Sequence, residues 1–239
     1  VQKLATLMAL LISFTSVAET VSLGSFYISG MSESPDKGRF VDVAKRVASE
    51  AGYKAEILFY PAQRTREAFA QGKLDGMFPA LRPSMQSRHY ATDSLLNKRI
   101  YAFSRSGDLV VRELKDLGFK RIGLTRGFTY SVKLLNIPGA SYQETILLPQ
   151  NIKKLVAGRI DVFLGDESST LVAIQEEGAE GKVTHDPAAP LDEIPVYFAF
   201  RPDERGKKLA ADFSAAIQRL KQSGELQRIL SGAMSEVPG

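Results

Sequence analysis

Apolar positions along this chain switch between the strand period of two and the helix period of 3.6. Val21 to Ile28 (VSLGSFYI) has the β-branched and aromatic content of a strand, and the polar loop SGMSESPDKG follows it. From Arg39 to Ala51 the residues Phe40, Val43, Ala44, Val47 and Ala51 recur at helical spacing, and Gly52 stops the helix. Lys54 to Tyr60 predicts a second strand, Ala62 to Gln71 a short helix closed by Gly72, and Gly76 to Phe78 a third strand. This strand–helix alternation predicts a mostly parallel sheet with crossover helices.

The second half repeats the pattern. Strands are predicted at 98–104, 121–124, 160–164 and 194–200, and helices at 129–135, 150–157 and 168–176. Leu209 to Lys221 is amphipathic through Leu209, Phe213, Ile217 and Leu220, with Asp203 and Glu204 placed to favour its positive N-terminal end. A last short helix carries Leu226, Ile229 and Leu230. Two α/β units follow from this, joined by extended segments near 100–106 and 194–200. If the final helices pack back on the first unit, two strands connect the units, and that geometry is a hinge. Periodicity alone does not require the return.

The N-terminus changes the reading. In VQKLATLMALLISFTSVA, Lys3 precedes an apolar run from Leu4 to Phe14, and Ser16-Val17-Ala18 supplies small residues for cleavage. Residues 1–18 are expected to be a secretory signal peptide, with a buried N-terminal helix as the alternative. No other run approaches the roughly 18 apolar residues of a spanning helix. The chain has no Cys and two His, which excludes a disulfide framework, a thiol nucleophile and a Cys-based metal site, and disfavours a His-rich one. No cofactor or metal is expected. A net charge of +4 is spread along the sequence, so nucleic acid is not an expected partner.

Several short motifs occur in a telling order. They are Gly38-Arg39-Phe40-Val41 with Asp42, Ala68-x-x-x-Gly72-Lys73-Leu74-Asp75, and Met85-Gln86-Ser87-Arg88 followed by Thr92-Asp93. After them come Gly123-Leu124-Thr125-Arg126-Gly127-Phe128-Thr129 and Leu155-x-x-Gly158-Arg159-Ile160-Asp161 with Asp166. In this order, over nearly all of residues 21–232, the sequence resembles the family 3 extracellular solute-binding proteins, the polar-amino-acid type II periplasmic binding proteins. The resemblance implies a two-lobed α/β fold with two hinge strands and an interlobe cleft. Residues 19–103 with 197–239 would form one lobe and 104–196 the other. It departs at Met85, where Thr is usual, and at Pro79 to Pro83, which replaces a hydroxyl-rich run.

The resemblance also implies roles. Arg88 would clamp a ligand carboxylate, since a planar guanidinium offers two parallel N–H donors. Thr129 would complete that site, and Asp166 would accept the ligand's ammonium. For each residue a plainer reading stands beside this one. Arg88 could be a solvated surface side chain, Thr129 an ordinary helix-start residue, and Asp166 the cap of the following helix. Asp75 and Asp161 read as structural. Of the aromatics, Tyr27 and Phe128 are the expected pocket residues, while Phe78 and Tyr130 are read as core. Arg64 opens a helix beside the expected cleft and could read an acidic group or face water. His89 is expected to be exposed and His185 to lie in a polar loop.

The function implied is a periplasmic receptor, not an enzyme. It would be a monomer that captures an amino acid or related zwitterion for an ABC permease or a sensor. Two alternatives come from the same fold: a dehydratase resembling cyclohexadienyl dehydratases, using Glu167 as its acid, and an orphan sensory domain.

Overall fold

A computed structural model describes residues 18–28 and 31–232. Apart from Ala18, the expected signal segment lies outside the described residues. The first half contains β1 (Glu19–Ser25), α1 (Arg39–Glu50), β2 (Tyr53–Phe59), α2 (Ala62–Ala70), β3 (Gly76–Leu81), the two-residue β4 (Tyr90–Ala91) and β5 (Leu96–Arg105). It continues with β6 (Arg121–Thr125), α3 (Val132–Leu135), β7 (Ser141–Thr145), α4 (Leu148–Val156), β8 (Val162–Asp166) and α5 (Glu167–Glu176). β9 (Val183–Thr184), β10 (Asp192–Phe200), α6 (Glu204–Gln222) and α7 (Glu225–Ser231) complete it.

The strands lie in the order β2-β1-β3-β10-β5-β8-β6-β7. β2, β1 and β3 run parallel, as do β7, β6 and β8, while the neighbours β10 and β5 are antiparallel to each other. The chain therefore passes between its two halves on two adjacent antiparallel strands. Each half has its own core on both faces of its part of the sheet. In the first, α1, α6 and α7 cover one face through Val43, Val47, Phe213, Ile217 and Ile229 around Phe198 and Phe200. Phe69 of α2 with Leu74 and Met77 covers the other. In the second half, α3 packs Leu134 on Ile122 and Leu164, and α4 and α5 pack Ile152, Leu155 and Ile174 on Phe103 and Phe163.

The return of the last helices, left open by periodicity, follows from α6. Its amphipathic stripe buries Leu209, Phe213, Ile217 and Leu220, and Asp203 caps it by accepting the Gly206 N–H at 2.7 Å. Arg46 of α1 then holds Glu225 of α7 through two hydrogen bonds of 2.7 and 3.0 Å.

Some expected elements differ. The helix expected at 129–135 is confined to Val132–Leu135, because Tyr130 is drawn into the core instead. β7 had no strand signal, since its sequence SYQET is polar and the strand lies at the sheet edge. His185 lies in a loop, just after β9, as expected, but its ring stacks on Phe103 with centroids 4.5 Å apart, and its side chain is 13% exposed. His89 is likewise half-buried, stacked on Tyr197.

Candidate functional site

The parallel strands of each half end at the junction between the halves. Val196 is paired with both Leu81, the last residue of β3, and Leu96, the first of β5. Four residues along β5, Ile100 is paired with both Asp192 and Asp166, the last residue of β8. Lys98, opposite Ile194, lies midway between these two positions. Alternate residues of a strand share a face, so Lys98, Ile100, Asp166 and Asp192 project to one side of the sheet.

On that side Lys98 Nζ stands 3.7 Å from Asp166 Oδ2 and 4.7 Å from the centre of the Phe128 ring. The two charged side chains are only 24% and 16% exposed. Burial pushes the Lys98 ammonium below its ordinary value, and Asp166 opposes that shift. Asp166 divides its two oxygens between tasks. Oδ1 accepts the Ser169 N–H at 3.0 Å and the Ser168 hydroxyl at 3.1 Å, capping α5, while Oδ2 faces Lys98. The capping and cleft readings of this residue are thus compatible.

The loop carrying Phe128 and Thr129 is fixed from beneath. The Tyr130 hydroxyl accepts the Thr125 N–H at 3.0 Å and donates to the Leu164 carbonyl at 3.1 Å. Burial pushes this phenol up to about 12. The Asn151 amide donates to the Leu124 carbonyl and to Thr125 Oγ1 at 3.0 and 3.1 Å. Gly127, at φ 83°, makes the turn, and Phe128 and Thr129 emerge half-buried.

In the first half, Thr65 fixes the start of α2. Its hydroxyl lies 3.2–3.3 Å from the carbonyls of Ser25, Tyr60 and Pro61, which ties the helix to the ends of β1 and β2. Gly24 permits this approach, because a Cβ there would lie 2.8 Å from Thr65 Cγ2. Arg64 is therefore held in the first turn of α2 at the C-terminal edge of the parallel strands, and Tyr27, two residues past the end of β1, is 65% exposed. Arg82 immediately follows β3 at the same edge. Arg88 is placed differently. It lies two residues before Tyr90, which pairs with Phe200, the residue that also pairs with Gly76 at the opposite end of β3. Arg64, Arg82 and Arg88 are exposed and have no hydrogen bond or ion pair among the described residues.

The structure thus brings Asp166 and Phe128 together at the junction and sets Tyr27 and Arg64 on one edge. Arg88 lies in the segment between β3 and β4, next to His89, whose Nε2 is 3.0 Å from the Tyr197 hydroxyl. Sequence reasoning missed Lys98 and the position of Arg82. A signal for Lys98 existed: it alternates with Leu96, Ile100 and Ala102 in LNKRIYAF, so it occupies an inward register position. Phe78 and Tyr130 are core residues, as expected. Asp75, bonded to Ser22 and to Arg201 and Arg205, and Asp161, bonded to Arg121, hold structure. Among the described residues Glu167 makes no hydrogen bond to a group of the junction; its Oε1 lies 2.8 Å from His185 Nε2. Among the described residues no cluster of three or more His, Asp or Glu side chains could hold a metal ion.

No family profile and no curated protein matches the chain. Solved structures do. An ancestral arginine-binding protein bound to arginine is 18% identical over 90% of this chain and 98% of its own, with a TM-score of 0.63. The chain has the two-lobed fold of amino-acid-binding proteins. The substrate-binding protein of an amino acid ABC transporter is equally similar, at 18% identity, 91% and 100% coverage and a TM-score of 0.61. So is an ancestral amino-acid-binding protein described as a precursor of cyclohexadienyl dehydratase, at 17% identity, 89% and 94% coverage and a TM-score of 0.64. In this fold the two halves are lobes, β5 and β10 are the hinge, and the strand ends described above line the cleft between them. No helix among the described residues is long and apolar enough to cross a membrane.

Proposed function

We propose that this protein captures a small polar solute between its lobes, without chemistry, and presents it to a membrane permease or a sensor. The observation that carries the reading is the cleft edge itself. Unpaired guanidiniums and an exposed aromatic stand on one lobe, and a fixed ion pair with an aromatic stands on the other, at strand ends where α/β sheets bind ligands. Amino acids and related small carboxylates are the favoured solutes, because the structures of this fold named above bind amino acids. The lobes are taken as residues 19–103 with 197–239 and residues 104–196, the first boundary lying within the hinge strand β5, whose residues 100–103 pack on the second lobe. The setting is the periplasm, after removal of residues 1–18, and the working unit is a monomer.

Arg64, Arg82, Tyr27, Phe128, Thr129 and Asp166 are the proposed ligand contacts, with Arg88 as a further cation if the cleft extends along the loop before β4. A ligand touching both lobes favours the closed state by its differential affinity for it. The dehydratase reading has a precedent in one similar structure, but the acid it needs, Glu167, is engaged with His185 on the α5 side of the sheet. The test is thermal denaturation of the purified protein against a panel of amino acids, polyamines and dicarboxylates. A true ligand at 100 times its dissociation constant adds about 2.7 kcal/mol of stability. A flat response across the panel contradicts solute capture.

A further inference from the structure

The two edges of the cleft differ in how their charges are satisfied. On the second lobe each acid near the junction already has a cation of the protein's own. Asp166 has Lys98 at 3.7 Å, Asp192 has Lys133 at 2.6 Å and Glu144 has Arg126 at 3.3 Å. Asp192 keeps one oxygen without a hydrogen bond, but it is 7% exposed and covered. On the first lobe the reverse holds, since Arg64 and Arg82 stand at the strand ends with no acid bound to them among the described residues.

An ammonium brought by a ligand to Asp166 must therefore displace Lys98, whose charge is held between that carboxylate and the Phe128 ring. Displacement would leave the buried lysine without a counter-ion, a costly state. A ligand carboxylate meets the opposite situation, because the guanidiniums of Arg64 and Arg82 can each give two parallel N–H bonds. Lys98 itself can donate, since its contact with Asp166 is longer than a hydrogen bond and an ammonium has three donors.

We propose that the cleft is built for a small organic dianion, a dicarboxylate, and that Lys98 makes a ligand ammonium dispensable by occupying the place it would take. The proposal rests on the solute-capture reading and narrows it, with Lys98 in place of Asp166 as the contact to the ligand. Succinate with aspartate, and glutarate with glutamate, are probe pairs that share a carbon skeleton and differ in the α-ammonium. Calorimetric titration of the purified full chain with both pairs, with arginine and with inorganic phosphate tests it. In at least one pair the dicarboxylate should bind the parent as tightly as its amino counterpart or tighter, and Arg82→Gln should weaken it at least tenfold.

Lys98→Met frees Asp166 and should move the affinity ratio at least tenfold toward the amino member. Lys98→Arg keeps the charge and should leave the preference in place, which separates a charge effect from a folding defect. If aspartate, glutamate or arginine binds the parent tenfold better than either dicarboxylate, the inference fails while solute capture stands. Phosphate binding as tightly as the dicarboxylates also overturns it. If no probe here and no solute of the wider panel binds, solute capture itself fails, and the inference with it.

Discussion

Asp166 serves two masters, one oxygen capping α5 and the other facing Lys98, and this is why the same residue can be read as structure or as site. The contrast with Asp161 is instructive. There Arg121 forms hydrogen bonds of 3.0 and 2.6 Å to the two carboxylate oxygens, and its backbone N–H adds a third of 2.8 Å. The Arg121 hydrogen bonds hold this carboxyl down at about 2 despite partial burial. Because its folded value is depressed, the stability it contributes is present above the ordinary carboxylate range and is lost as pH falls toward 2. Asp161→Asn should cost about 1–2 kcal/mol near neutrality, discounted for the half-exposed Arg121, and should flatten the acid limb between pH 4 and 2, in about the range where the carboxyl titrates. Urea denaturation across that range reads both effects.

Among the elements, the turn from β6 to α3 decides how the second lobe presents Phe128 and Thr129. Tyr130 satisfies two buried backbone groups with one hydroxyl, so Tyr130→Phe orphans the Thr125 N–H and the Leu164 carbonyl. The expected cost is about 1–3 kcal/mol. The raised phenol has a second consequence, with the opposite pH sense to Asp161. Stability is full below pH 10 and declines as pH rises from 10 toward 12, where the unfolded chain ionises and the folded one does not. Tyr130→Phe should remove that decline, which thermal denaturation at pH 9 and above can follow. Ligand affinity should fall as well, since the loop above the phenol loses its support.

Legibility followed the reach of the interactions. Helix α1 and the stripe of α6 were plain because Phe40, Val43 and Val47, or Phe213 and Ile217, bury one face at fixed spacing. Strand β10 was plain because IPVYFAF is continuously apolar, as a central strand must be. What failed was whatever depended on distant partners. The polar edge strand β7, the stacking of His185 on Phe103 and the short α3 leave no local pattern. The site was half legible. Motif order pointed to Arg88, Thr129 and Asp166, and a helix start to Arg64, while the strand register adds Arg82 at the end of β3. Lys98 was overlooked because a lone lysine in a strand has no motif, only a register position.

At the scale of the whole molecule, two separately cored lobes are joined through the adjacent antiparallel strands β5 and β10. That connection lets small backbone rotations in residues 96–100 and 192–196 close the cleft without disturbing either core. Closure needs a solute that touches both lobes, and the stabilised state should be the compact one. Small-angle X-ray scattering of the purified protein, alone and saturated with a solute that raises its melting temperature, tests this most directly. Capture between the lobes predicts a smaller radius of gyration with solute and no change with a non-binding analogue. An unchanged radius at full saturation would contradict capture between the lobes.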